Sequence, residues 1–176
     1  MKIAITGHVN IEKANGKKLI DYRKYDEEVF EKVYEEIALM MEKVFEDLHI
    51  EKNDVVLISG MARGVDEIFA LYAMNNGLPL FAAIPHKIYW HKARKESAIR
   101  YDEILEYAKK SAGFQEISKN YKNIGSSFFA RNQFMVDMAD IVISYMKYNS
   151  PGTMDTIKRA KEAGKYYGNV LDLITK

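Results

Sequence analysis

Apolar positions along the chain fall into two kinds of segment, short continuous runs and longer stretches with helical spacing. The short runs are of strand length and predict strands at residues 2–6, 54–59, 80–84, 114–117, 140–145 and 167–173. The stretches with helical spacing predict helices at residues 25–49, 65–76, 97–111, 128–139 and 153–163. The polar segments 10–24 and 119–127 are predicted loops.

This alternation of strands and helices, joined by short connections, predicts the fold class. It is typical of a single α/β domain, here residues 1–176, with a doubly wound, mostly parallel sheet and helices on both faces. In such sheets ligands bind at the carboxyl ends of the strands. The turns that follow strands are therefore where candidate site residues are expected.

The composition excludes several kinds of site. The chain has 48% apolar and 29% charged residues, the balance of an ordinary globular protein. It has no cysteine, which excludes disulfides, thiolate nucleophiles and cysteine-based metal centres. No run approaches the roughly 20 apolar residues of a membrane helix, and the apolar run at the N-terminus is too short for a signal peptide. We expect a cytoplasmic protein without a membrane partner.

The charge balance bears on the expected partners. A net charge of +1 gives no electrostatic reason for nucleic-acid binding, so nucleic acid is not expected as a partner. Charge is nevertheless uneven, because residues 85–131 contain twice as many Lys and Arg as Asp and Glu. This basic segment would either line an anion site or form a solvated face.

Glycine-bracketed turns follow two of the apolar runs. After residues 55–58, Gly60 and Gly64 bracket a turn, and a helical pattern begins directly afterwards. That order places backbone N–H groups at a helix N-terminus, which favours an anion. A second turn of this kind, containing Gly152, follows residues 141–144. Together the two turns predict a phosphate-bearing ligand.

Several side chains near these turns allow more than one role. Arg63 would either pair with a phosphate in bidentate fashion or lie exposed in a tight turn. Asp66 would hydrogen-bond a ribose hydroxyl, act as a carboxylate catalyst, or only stabilise the helix N-terminus. Thr153 would cap its helix, contact phosphate, or do both. Arg131 and Asn132, predicted to open a helix, would bind the phosphate and the base or sugar of a nucleotide, or be surface residues of a first turn.

Residues 86–91 contain His86 and His91 together with the aromatic residues Tyr89 and Trp90. The spacing of the histidines does not place them on one helical face, so no metal site is predicted. Tyr89 or Trp90 would stack on a base or pack within the loop. No Walker A motif, G-x-G-x-x-G motif or nucleophile elbow occurs, so conventional NTPase and dinucleotide oxidoreductase functions are unsupported and no cofactor is predicted.

At these residues the chain resembles the SLOG superfamily of Rossmann-like proteins, which includes YpsA-like proteins, DNA-processing A proteins and the LOG cytokinin-activating phosphoribohydrolases. The helix with Arg131 and Asn132 resembles the YpsA-like branch most. The matching pieces run in the family's order from residue 6 to residue 165. They are Thr6-Gly7-His8, Ser59-Gly60-Met61-Ala62-Arg63-Gly64-Val65-Asp66, Arg131-Asn132-Gln133-Phe134-Met135, Ala139-Asp140, Gly152-Thr153 and Ala163-Gly164-Lys165.

The resemblance implies a Rossmann-like fold and a site for a nucleotide or nucleotide-derived ligand between the two glycine turns. The candidate ligand-binding residues are Gly7, His8, Ser59, Gly60, Met61, Ala62, Arg63, Gly64, Asp66, Arg131, Asn132, Pro151, Gly152 and Thr153.

LOG enzymes hydrolyse the N-glycosidic bond of nucleoside monophosphates with the glutamate of a Pro-Gly-Gly-x-Gly-Thr-x-x-Glu motif. In this chain Thr156 stands at the glutamate position, and Asp155 lies one residue earlier on a different side of the helix. The resemblance therefore does not favour this reaction, and Asp66 or Glu67 would have to supply the carboxylate.

Three functions follow, in order of preference. The first is a module that binds a nucleotide or nucleotide-derived ligand, as a sensor or by sequestering it. The alternative is an N-glycosidase or deoxyribosyltransferase acting on nucleoside 5′-monophosphates, with Asp66 as the catalytic residue. The second alternative is single-stranded DNA binding, which the resemblance to DNA-processing A proteins allows and which the basic segment supports with Tyr89, Trp90, Tyr101 and Tyr121. The Tyr- and Met-rich helices would also allow a homo-oligomer.

Overall fold

The structure, a computed structural model, describes residues 1–86, 96–118 and 124–175. Tyr89, Trp90, His91 and Tyr121, on which the stacking and metal hypotheses depend, lie outside these residues. The strands are β1 (Lys2–Gly7), β2 (Val56–Ser59), β3 (Leu80–Ile84), β4 (Gly113–Glu116), β5 (Ile141–Tyr145) and β6 (Tyr166–Asn169). The helices are α1 (Ile11–Ala14), α2 (Glu27–Asp47), α3 (Val65–Asn75), α4 (Glu96–Lys110), α5 (Ile124–Met138), α6 (Pro151–Glu162) and α7 (Val170–Ile174), with a 3-10 turn at Lys52–Asp54.

The strands form a six-stranded sheet in the order β4-β3-β2-β1-β5-β6, and each neighbouring pair is parallel. From β1 to β4, each new strand pairs beside the previous one toward one edge of the sheet. The chain then returns through α5, and β5 pairs with the other side of β1. The Rossmann-like α/β fold predicted from the sequence is confirmed. The strand order reverses between β1 and β5, which is where ligands bind in open sheets of this class.

The core lies on both faces of the sheet because successive strand residues point to opposite sides. In β1, Ile3 and Ile5 belong to a large apolar cluster that also contains residues of α2, α3 and α4. Ala4, between them, belongs to a smaller cluster formed with residues of α5 and α6. Alanines recur in this smaller cluster, at Ala139 and Ala160 among others, so α5 and α6 lie close to the sheet.

The 21-residue helix α2 agrees with its predicted bounds to within two residues. The Asp26 carboxylate caps its N-terminus by accepting a hydrogen bond from the Val29 N–H at 3.1 Å. Its buried stripe, which includes Val33, Ile37 and Val44, packs against α3 and α7. The apolar periodicity predicts this helix from the sequence, and the structure adds the Asp26 cap that fixes its start.

The C-terminal stretch differs from the prediction of one strand over residues 167–173. The strand β6 ends at Asn169, whose side-chain amide donates to the Met146 carbonyl and accepts from the Met146 N–H, both at 3.0 Å. The following residues form α7, which buries Val170. The apolar residues of this stretch therefore reach the core at helical spacing.

The start of α5 is also earlier than predicted. The stretch Gly125-Ser126-Ser127, predicted to be loop, forms part of the first turn of this helix. The Ser127 hydroxyl is 2.8 Å from Nδ1 of His86 and attaches that turn to the end of β3. Arg131 and Asn132 consequently lie inside the helix and do not open it. The predicted loop at residues 10–24 likewise contains the short helix α1.

None of the helices in the described part of the chain is long and apolar enough to cross a membrane.

Candidate functional site

A cavity of about 370 Å³ lies at the carboxyl edge of the sheet, near the ends of β1, β2 and β5. The turn after β2, the helix α5 and the N-terminus of α6 enclose it. The lining residues are Thr6, Gly7, Val9, Ala62, Arg63, Asp66, Gly125, Phe128, Phe129, Arg131, Asn132, Ser150, Gly152 and Thr153. The two glycine turns singled out in the sequence therefore meet at one cavity.

The turn after β2 is held by the hydroxyl of Ser59. This hydroxyl donates to the Asp66 carbonyl at 2.6 Å and accepts from the Met61 N–H at 3.1 Å. Met61 adopts a left-handed conformation with φ of 56° and buries its side chain. The three residues fix the path of the backbone from β2 into α3.

Gly64 brings the same turn into contact with the end of β1. Its φ is +89°, and an added Cβ would overlap the His8 carbonyl oxygen and lie 2.7 Å from that of Val9. Only glycine fits such a position without strain. The Gly64 N–H donates to the Tyr25 hydroxyl at 2.7 Å, so the protein itself already uses this amide.

Arg131 of α5 reaches across the sheet edge to the turn after β2. Its Nη1 donates to the Gly60 carbonyl at 2.5 Å and lies 3.4 Å from Oδ2 of Asp66. Its Nε donates to Oδ1 of Asn132 at 3.0 Å. An added Cβ on Gly60 would overlap the Arg131 guanidinium and lie 2.6 Å from Asp66. Gly60 thus makes room for a buried arginine whose Nη2 has no partner among the described residues.

The Asp66 carboxyl is almost fully buried beside Arg131. Burial raises its pKa to about 6, and the opposing effects of the Arg131 charge and of the Ala62 N–H are smaller. Burial likewise lowers the pKa of Arg131 from its ordinary value. The cavity wall therefore contains a carboxyl group that titrates near the physiological range.

Asn132 connects α5 to the start of α6. Its Nδ2 is 3.4 Å from the Gly152 carbonyl and 3.3 Å from Oδ2 of Asp155. Arg159 donates to the same Asp155 oxygen at 2.9 Å. These bonds fix the distance between Arg131 and the first turn of α6.

The first turn of α6 offers donors to the cavity. Ser150 occupies the N-cap position without a side-chain cap bond, and Pro151 has no N–H to offer. The first hydrogen bond of the helix runs from the Met154 N–H to the Ser150 carbonyl, so the N–H groups of Gly152 and Thr153 have no acceptor within the helix. The Thr153 hydroxyl makes no hydrogen bond to any residue that the structure describes. This is the arrangement that binds phosphate groups in many proteins.

Arg63 lines the cavity but directs its guanidinium into the protein. Its nitrogens donate to both carboxylate oxygens of Glu12, at 3.1 and 2.8 Å, and the two side chains are 3% and 2% exposed. Further bonds run to the backbone carbonyls of Val9, Tyr22 and Lys24. Together these five bonds use all the N–H donors of the Arg63 guanidinium. A phosphate ligand would have to displace one of them.

His8 holds the loop between β5 and α6. Its Nε2 accepts from the Lys147 N–H at 2.8 Å, and its ring stacks on Tyr148 with centroids 4.0 Å apart. Burial, together with nearby lysine charges, lowers the pKa of His8, so the ring stays neutral and accepting. The predicted ligand residue His8 is thus placed behind the cavity wall.

The predicted site residues divide into two groups by position. Those that line the cavity are Gly7, Ala62, Arg63, Asp66, Arg131, Asn132, Gly152 and Thr153. Those that shape it from outside its lining are His8, Ser59, Gly60, Met61, Gly64 and Pro151. Their roles in ligand binding stay predictions. The sequence reasoning missed six lining residues, although the pair of phenylalanines close to Arg131 was a usable signal. They are Thr6, Val9, Gly125, Phe128, Phe129 and Ser150.

Among the described residues, no cluster of three or more His, Cys, Asp or Glu side chains is placed to hold a metal ion.

Comparisons with known proteins identify one family and two solved structures of similar fold. The model of the family described as DNA recombination-mediator protein A matches residues 31–172. The structure of DNA processing protein A from Streptococcus pneumoniae superposes with a TM-score of 0.58 at 21% identity, over 99% of this chain and 53% of that one. DNA processing protein A from Helicobacter pylori, described by its single-stranded DNA binding mode, gives a TM-score of 0.58 at 20% identity, over 96% and 64%. A comparison with curated protein sequences found no match.

The chain thus spans between half and two-thirds of the length of these solved structures. The expectation that nucleic acid is not a partner is wrong, because the matched family is described by DNA recombination and a matched structure by its binding of single-stranded DNA. The reason is physical. A net charge of +1 sums over the whole chain and does not report which cationic and N–H donors face one cavity.

Proposed function

The chain belongs to the family of DNA recombination-mediator protein A, and on that premise we propose that its cavity binds the backbone of single-stranded DNA. One phosphate would lie between the Arg131 guanidinium and the first turn of α6. The observation that carries this proposal is the incompletely paired, buried Arg131 facing the same cavity as the Gly152 and Thr153 amides.

The donors around this position suit a phosphate. Arginine binds phosphate oxygens through paired N–H donors, and a helix N-terminus adds backbone N–H groups and a favourable dipole. Asn132 contacts both Arg131 and Gly152, so the two sets of donors are held in one geometry. Contacts of this kind position a strand without selecting its sequence.

The apolar side of the cavity suits a base. Phe128 and Phe129 line it next to Arg131, and the Phe129 side chain is 48% exposed. Aromatic side chains on which bases stack, combined with cationic groups that track the backbone, are typical of sequence-independent single-strand binding. A cavity of about 370 Å³ has room for one nucleotide unit rather than for several.

That restricted volume also favours a second candidate, the binding of a free nucleotide or nucleotide-derived ligand by the same residues. The phosphate and base of the free nucleotide would occupy the same positions as those of one nucleotide in a bound DNA strand. The N-glycosidase alternative needs a carboxylate free to act at the sugar. Asp66 instead contacts Arg131 and the Ala62 N–H, so its catalytic role stays a prediction.

Fluorescence anisotropy of a labelled oligothymidylate tests the proposal. The wild-type chain should bind with an affinity that falls as salt rises. Arg131→Gln should weaken binding by about 10- to 100-fold, the effect of losing a charged hydrogen bond, and reduce the salt slope by about one. The control Lys158→Gln removes the same charge from an exposed position on α6 and should bind as the wild type does.

Competition separates the two candidates. If unlabelled oligothymidylate displaces the probe and thymidine 5′-monophosphate at equal nucleotide concentration does not, the strand is the ligand. If the mononucleotide competes equally well, the free nucleotide is the ligand. Failure of the wild-type chain to bind either would exclude the proposal.

A further inference from the structure

The charges around the cavity balance in pairs. Arg63 is neutralised by Glu12 and Arg131 by Asp66, and all four side chains are buried. A phosphate bound to Arg131 would add a negative charge beside Asp66. Two anions sharing one cation in a buried site are unfavourable, and a buried carboxyl group responds to such a change by taking up a proton.

The geometry shows which of the two ion pairs a bound phosphate would break. The Arg63–Glu12 pair has two bonds, at 3.1 and 2.8 Å, with every arginine donor engaged. The Arg131–Asp66 pair has one contact at 3.4 Å, near the outer limit of a hydrogen bond. Arg131 therefore has a weakly held counterion that a phosphate oxygen can replace.

The state of Asp66 without a phosphate is close to the point of protonation. Its pKa of about 6 reflects burial that outweighs the attraction of Arg131. Loss of that attraction to a phosphate would raise the pKa further. Among the described residues, the ionisable groups on the elements around the pair include His8 after β1, Arg63 in the turn, Glu67 on α3, Tyr101 on α4 and Asp155 on α6.

These neighbours have their own contacts. Glu67 accepts from the Tyr25 hydroxyl at 2.9 Å, and His8 accepts from the loop after β5. Arg63 is paired with Glu12, and Tyr101 is a buried neighbour of Arg131. Asp66 is thus the group most directly affected by a new charge at Arg131.

We propose that Asp66 is the specificity-determining residue of the site, protonated from solvent when a phosphodiester replaces it at Arg131. The inference rests on the proposed function. One proton compensates one negative charge, which is the charge of an internal phosphodiester. A terminal phosphate carries about −1.5 to −2 at neutral pH and would leave charge uncompensated. The site therefore selects internal positions of a strand over phosphorylated ends and free mononucleotides.

Calorimetric titration of the full chain with an oligothymidylate that lacks terminal phosphates measures the number of protons taken up on binding. In buffers of different ionisation enthalpy near neutral pH, binding should take up close to one proton per site. Affinity should weaken about tenfold for each pH unit above about 6. Asp66→Asn should abolish both effects and bind more tightly than the wild type at alkaline pH. Asp137→Asn, which neutralises an exposed carboxylate on α5, should retain the wild-type behaviour.

A second measurement uses the wild-type chain alone, so it holds even if Asp66→Asn does not fold. The methyl ester of thymidine 5′-monophosphate should bind roughly tenfold more tightly than thymidine 5′-monophosphate near neutral pH. Oligothymidylate binding without proton uptake, or equal affinity for the two mononucleotides, would overturn the role of Asp66 and leave DNA binding intact. Absence of oligothymidylate binding would instead overturn the proposed function and this inference with it.

Discussion

Arg63 and Glu12, 51 positions apart in the chain, form a two-bonded ion pair that is almost wholly buried beside the candidate site. The pair attaches the segment between β1 and α2 to the turn after β2. Tyr25 strengthens this attachment, because its ring lies 4.4 Å from the Arg63 guanidinium and its hydroxyl accepts from Gly64. An arginine that the sequence predicts as a phosphate ligand is thus placed to stabilise the cavity wall.

Replacing Glu12 by glutamine should therefore lower stability sharply. The change leaves the Arg63 charge buried without its counterion, and such losses cost about 3–5 kcal/mol. Urea unfolding with an unchanged slope would measure the difference. Glu162→Gln breaks an exposed pair with Lys158 and should cost less than about 1 kcal/mol. Equal effects of the two substitutions would show that the buried pair contributes no more to stability than the exposed one.

Gly60→Ala should lower the affinity for DNA and have a smaller effect on the free energy of unfolding. The added methyl group overlaps the Arg131 guanidinium and forces it out of its place against the turn. We expect a loss of about tenfold or more in oligothymidylate affinity, as for removal of the arginine contact itself. Gly168→Ala on β6 is the matched control, because its methyl group would meet Leu173 at 3.4 Å, an ordinary contact. Wild-type affinity in Gly60→Ala would contradict the placement of Arg131.

The burial of Asp66 predicts a pH dependence of stability. Its pKa is about 6 in the folded chain and about 3.9 when unfolded, so the folded state binds the proton more tightly. The contribution of Asp66 to stability is therefore fully present below about pH 4 and is lost as pH rises through about 6.

Comparison with Asp66→Asn isolates this effect from other carboxyl groups. The stability of the asparagine variant relative to the wild type should rise by an amount on the order of 3 kcal/mol between about pH 4 and about pH 7. Unfolding midpoints of both proteins at several pH values would show it. A pH-independent difference would mean that Asp66 titrates normally.

His8→Phe should loosen the loop that leads into α6. Phenylalanine keeps the stacking on Tyr148 but cannot accept from the Lys147 N–H, which is left without its partner. An unmade bond of this kind costs about 1–3 kcal/mol. Hydrogen exchange at the Lys147 amide should become faster, and unchanged protection there would show that another group holds the loop.

Much of the fold could be predicted because its signals are local. The apolar stripe of α2 and the Asp26 cap specify that helix within a short window, and the runs ending at Ser59 and Tyr145 are strands in the structure. The start of α5 could not be predicted, since its first turn is held by contact with His86. The C-terminal stretch was ambiguous, because its short apolar pattern fits both strand and helix.

The site could be located from the sequence but its contacts could not. Glycine turns after two strands point to the carboxyl edge of the sheet, and the cavity lies there. The partners of Arg63 and Arg131 lie far away in the sequence, at Glu12 and Gly60, and no local pattern indicates them. These distant partners decide which arginine has all its donors engaged and which keeps a donor for a ligand.

The return of the chain through α5 has a consequence during synthesis. Gly7 and Gly60 leave the ribosome well before Arg131 and Thr153, and the cavity needs all of them. At about 5–20 residues per second, the interval between Gly60 and Thr153 lasts roughly 5–20 s. Until β5 inserts, one edge of β1 carries unpaired backbone groups and is open to mispairing with other chains. The nascent protein thus passes through a period of vulnerability at the strand that later supports its binding site.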